Sequence, residues 1–253
     1  MPTETTPKKQ QESGHAKILE SLGKLIAFSE TVDQVKLDPP PELTIAALQT
    51  RRTTATNLQT AIGNSRADWR TVALDRALDI EKFAPLASQA VGALSGRGAS
   101  KEKVDDAMFY VRKIQGRRAT AKPADDPNTP NLDESEKGVS ASQQSSAALI
   151  STMYELIDFL EAQNEYAAVK IVGLTGSEMR SFVDSVQAKH NLSITAAATL
   201  SSDRRTRNKF FYTDEDNIVD LGKQFKDLVK GAFGAGSLEY KTVNSIKFKK
   251  PKL

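Results

Sequence analysis

The chain has 253 residues, 39% of them hydrophobic, 26% charged and 6% aromatic, and its formal net charge is +3. It has no cysteine and two histidines, His15 and His190, which excludes disulfide frameworks, thiolate metal sites and cysteine nucleophiles. The net charge is too small to argue for nucleic acid by itself, no apolar run is long enough to span a membrane, and the opening MPTETTPKKQQESGH lacks a secretory apolar core, so a cytoplasmic protein with no transmembrane segment is expected.

Residues 1–14 are polar and read as a disordered tail, with His15 a solvated side chain at its edge. Ile18, Leu19, Leu22, Leu25 and Ile26 recur at the spacing of one helical face and predict a first amphipathic helix. Pro39, Pro40 and Pro41 close its connection to a long second helix, with Ile45, Leu48, Arg52, Ala55, Ile62, Trp69 and Ala73 near one seam. Gly63 to Ser65 marks a candidate interruption of that helix. DIEKFAPLASQAVGAL, residues 79–94, reads as a third helix, LSGRGAS as its glycine-bearing C-cap, and SKEKVDDAMFYVRKI from Ser100 as a fourth. Residues 117–146, rich in Pro, Asp, Ser and Asn, have too little apolar surface to offset their ordering entropy and read as a linker.

Beyond that linker the pattern returns. AALISTMYELIDF from Ala147 lies over AKILESLGKLIAF from Ala16, matching Leu25, Ile26 and Phe28 to Leu156, Ile157 and Phe159 at an offset of 131. NIVDLGKQFKDLVKGAF, residues 217–233, lies over residues 79–94 at an offset of 138, pairing Ile80 with Ile218, Phe83 with Leu221 and Val91 with Val229. The order of these matches along the chain predicts two diverged copies of one helical unit. Between them, a helix from Thr175 to Tyr212 carries Met179, Phe182, Val183, Val186 and His190 on one face and extends about 57 Å. Thr213 is the expected cap of the next helix, and Gly234 to Gly236 stop it. SLEYKTVNSI, which runs on into KFKK, reads as either helical or extended. The expected fold is all-α: two tandem related three- or four-helix bundles with long second helices, residues 15–116 and 147–253, joined by a polar linker.

No constellation for chemistry emerges from these elements. His190 lies on an apolar seam as a packed histidine, and the chain lacks the two Glu-x-x-His pairs that a carboxylate metal centre needs. Asp105 with Asp106, and Asp214 to Asp216, sit at helix starts or turns, where acids complement the helix dipole. Neither glycine stretch has phosphate-loop spacing. No catalytic, cofactor or metal residues, and no small-molecule substrate, are therefore assigned. Two basic clusters remain as candidate polyanion contacts: Arg204, Arg205, Arg207 and Lys209 on a helix, and Lys247, Lys249, Lys250 and Lys252 at the C-terminus. Phe210, Phe211 and Tyr212 follow the arginines and read as closing the bundle rather than as a stacking platform.

The segments VRKIQGRRA, Val111 to Ala119, and VDLGKQFKDLVKGAFGAGSLEYKTVNSIKFKK, Val219 to Lys250, resemble those of a class of uncharacterised, internally duplicated, all-helical bacterial proteins. The resemblance implies fold and duplication and brings no activity. Two functions are expected from different classes. The first is a non-enzymatic structural protein that assembles with copies of itself, because like units present similar faces that propagate into a ring or filament. The second is a helical module that binds nucleic acid or an anionic surface.

Overall fold

The computed structural model describes residues 13–116 and 145–250, and among these every regular element is helical. The expected tail over 1–12 and linker over 117–144 lie outside the described residues, whereas Ser13 and Gly14 already belong to a helix.

In chain order the elements are α1 (Ser13–Ser29), α2 (Gln34–Leu37), a 3-10 turn (Pro41–Leu43), α3 (Ile45–Gly96) and α4 (Lys101–Ile114). After the undescribed stretch come α5 (Ser146–Glu161), α6 (Asn164–Ala167), α7 (Gly176–Asn208), a π-turn (Lys209–Thr213), α8 (Ile218–Phe233) and α9 (Leu238–Ser245). Helix starts follow capping chemistry: Ser100, Ser145, Asn217 and Ser237 each accept a backbone N–H of the first turn. At α7 the Thr175 N–H donates to Glu178 Oε2 at 3.3 Å while the Glu178 N–H donates to Thr175 Oγ1 at 3.3 Å, a reciprocal capping box.

Three local expectations are corrected. Gly63 does not interrupt α3, which runs 52 residues with its neighbours' i→i−4 ladder intact. Residues 79–94 are therefore not a separate third helix but the end of α3, with Pro85 inside it on the exposed side. The cap of α8 is Asn217 rather than Thr213, because the intervening residues form a π-turn that buries Phe211 and Tyr212. The two expected fourth segments differ: α4 is helical throughout, whereas α9 ends at Ser245 and the chain continues extended.

The chain divides into two compact units, and the divisions fall inside the long helices. The first unit holds residues through Arg66 and from Ala198, and the second holds Ala67–Ala197. The first core packs Ile18, Leu22 and Leu25 of α1 and Leu48 and Ala55 of α3 against Phe211, Leu221, Phe225 and Val229. The second packs Phe83, Ala87 and Val91 of α3 and Val111 of α4 against Met153, Leu156 and Leu160 of α5 and Val183 of α7. Each fully buried Leu or Phe here contributes about 2 kcal/mol of transfer free energy. Each unit thus draws helices from both 15–116 and 147–253.

Polar pairs between α3 and α7 run antiparallel within each unit. In the first, Arg207 donates to Gln59 at 3.4 Å and Ser65 donates to Asp203. In the second, Arg76 donates to Ser193 at 3.2 Å and Lys189 pairs with Asp79.

Candidate polyanion-binding groove

The lysine groove belongs to the first unit and is built from two elements. Along α1, Lys17, Ser21 and Lys24 recur at helical spacing on one face. The other wall is the extended strap after α9. Its side chains alternate as in a strand: Ile246 and Phe248 are buried, and Lys247 and Lys249 are exposed. The two walls enclose an open groove of about 450 Å³ lined by Gly14, Lys17, Ser21, Lys24, Lys247 and Lys249 among others.

Four contacts hold the strap in place. Ser21 Oγ donates to the Lys247 carbonyl at 2.8 Å, and Lys226 Nζ donates to the Ile246 carbonyl. Phe248 packs where Gly222 has no side chain; a Cβ there would lie 2.6 Å from the Phe248 ring. Lys250 Nζ donates to Asp220 at 2.7 Å, and Asp220 also pairs with Lys223 at 2.9 Å. The bonds from Lys250, Asn217 and Lys223 hold the Asp220 carboxyl well below the usual carboxylate range. Burial, with Lys247 nearby, lowers the pKa of Lys226.

The groove contains one acid, Glu20, which pairs with Lys24 at 2.6 Å. Lys17, Lys247 and Lys249 form no ion pair among the described residues. Such an array of flexible point charges suits phosphate oxygens rather than one shaped ligand. Among the described residues no aromatic side chain lines the groove, and the strap's own Phe248 is buried, so no stacking surface for bases accompanies the lysines.

The sequence-predicted residues separate accordingly. Lys247 and Lys249 line the groove, Lys250 is engaged with Asp220, and Lys252 lies outside the described residues. In the other cluster Arg205 and Lys209 are exposed, Arg204 is half-buried and Arg207 is buried. Arg207 points inward: its Nε and Nη2 donate to Asn208 Oδ1 at 3.2 and 3.1 Å. Lys17, Ser21 and Lys24 carry no signal in the sequence beyond the seven-residue spacing of the two lysines, because the strap joins them only through the fold.

His15 departs from expectation as well. It is 9% exposed rather than solvated, sits edge-on to Phe211 at 5.1 Å, and donates from Nε2 to Asn208 Oδ1 at 3.2 Å. Its Nδ1 is buried without a hydrogen-bond partner. Burial, and next the charge of Arg207, lower its pKa to about 4, so the ring is neutral near pH 7. His190 is half-buried, with Nδ1 3.4 Å from Arg76 Nη1.

No group of three or more metal-binding side chains occurs among the described residues, and no helix among them is long and apolar enough to cross a membrane. No protein-family model matches the chain, and neither a curated protein nor a solved structure does.

Proposed function

We propose that the protein is a non-enzymatic helical module that binds a phosphate-rich polyanion along the groove between α1 and the C-terminal strap. One observation carries this reading: four lysines from two separate elements line a single groove whose one acid is already paired. The corresponding positions of the second copy sharpen it. At the 131-residue offset, Lys17, Ser21 and Lys24 correspond to Ala148, Thr152 and Glu155, so a related framework exists without the cationic face. Nucleic-acid backbone is the favoured partner and an anionic membrane surface the alternative source of the same phosphates.

The test is fluorescence anisotropy with a labelled oligothymidylate at about 50 mM salt. Lys17→Ala, Lys247→Ala and Lys249→Ala together should weaken binding more than tenfold and flatten its salt dependence by about three charges' worth. Vesicles containing anionic lipid, run in parallel, identify a membrane source. Absence of binding to both at about 50 mM salt retires the reading.

Duplication and self-assembly belong to the same proposal. The starts of α3 and α7, Ile45 and Gly176, lie 131 positions apart, as do Ala67 and Ala198, where the compact units change. This common interval supports descent of the two copies from one helical segment. For self-assembly, two like units would present similar faces, and the second unit exposes the adjacent Ile171 and Val172, 52% and 90% exposed. A concentration-dependent sedimentation coefficient is the expected sign, and a monomer throughout the micromolar range contradicts it.

A further inference from the structure

Each core depends on side chains from both sides of residues 117–144. In the first unit Leu22 and Leu25 come from the N-terminal side, and Phe225 and Val229 come from the C-terminal side. In the second unit Phe83 and Val111 come from the N-terminal side, and Leu156 and Val183 come from the C-terminal side. The polar contacts cross in the same way. Arg51 pairs with Asp216 at 3.3 Å in the first unit, and Lys103 pairs with Glu165 at 2.8 Å in the second. Neither segment alone completes either core.

We propose that residues 13–116 and 145–250 are two interlocking protomers joined into one chain, each presenting an apolar and polar surface that fits the other segment, including that segment of a second copy of this protein. Removal of one partner would expose both halves of two cores, apolar surface of the kind that obligate interfaces bury. The covalent connection then raises the effective concentration of the partner without supplying the interface. This inference rests on the composition of the two cores. It is independent of the groove and holds whether or not the segments share an ancestor.

The experiment places a specific protease site within 117–144 of the full chain and cuts it to completion. The two fragments should co-elute as one species with unchanged helical circular dichroism, and their urea midpoint should fall on dilution, as a bimolecular fold requires. In a second arm, cut protein with a tagged N-terminal fragment is unfolded and refolded with cut protein whose C-terminal fragment is isotopically labelled. Capture on the tag should recover about half labelled fragment, the statistical share for equal mixing. Separation of the fragments with helicity retained in one of them overturns the proposal, as does a urea midpoint that does not change on dilution. Refolded helical protein that yields no labelled fragment on the tag also overturns it.

Discussion

His15 shows how one residue's chemistry depends on where the chain folds around it. Beside a polar tail it reads as solvated, but α1 begins two residues earlier and carries the ring against Phe211 and Arg207. With Nε2 committed as a donor to Asn208, protonation at Nδ1 would add a buried cation next to Arg207, itself without a carboxylate partner among the described residues. Because the folded pKa of about 4 lies below the ordinary 6.5, the unfolded chain takes the proton first. Stability is therefore undiminished above about pH 6.5 and is lost as pH falls from there through the folded pKa. Between about pH 7.5 and 5.5 the loss assigned to His15 is about 1.4 kcal/mol. Urea denaturation at the two pH values should show it, and His15→Gln, which retains an amide donor for Asn208, should remove that part of the slope. An unchanged slope would place the titration elsewhere.

At the scale of elements, apolar periodicity made the helices legible, while their junctions were not. Gly63 reads as a break because glycine weakens helices, yet its neighbour Ile62 is buried and the helix continues. A Cβ added at Gly63 meets no atom within 4 Å. Gly63→Ala is expected to stabilise the protein by about 1 kcal/mol, measured as a raised urea midpoint; no gain would indicate a break in α3 at this position. The strap was legible in another sense: IKFKK alternates apolar and basic residues, and the structure buries Ile246 and Phe248 while exposing the lysines. Its seat under Gly222 required tertiary knowledge. Gly222→Ala should displace Phe248, cost about 1–3 kcal/mol and weaken polyanion binding together with the strap. Retained binding at full stability would show that the strap is not fixed by this contact.

For the whole molecule, the matched segments of the sequence suggest two related stretches, and the starts of α3 and α7 and the two unit boundaries each lie 131 positions apart. What linear reading did not reach is that each compact unit combines pieces from both stretches, since pairing across more than a hundred residues leaves no local signature. The candidate site was half legible for the same reason: Lys247 and Lys249 stood out as a cluster, whereas Lys17 and Lys24 join them only through the fold. The most direct test of the central claim is therefore a residue-resolved one. Backbone amide spectra of the isotopically labelled protein, titrated with an oligothymidylate at about 50 mM salt, should shift at residues 14–24 and 245–249 and leave the second unit's α5 unchanged. Shifts confined to Arg204, Arg205 and Lys209, or spread evenly over every exposed lysine, would contradict the groove as the binding site.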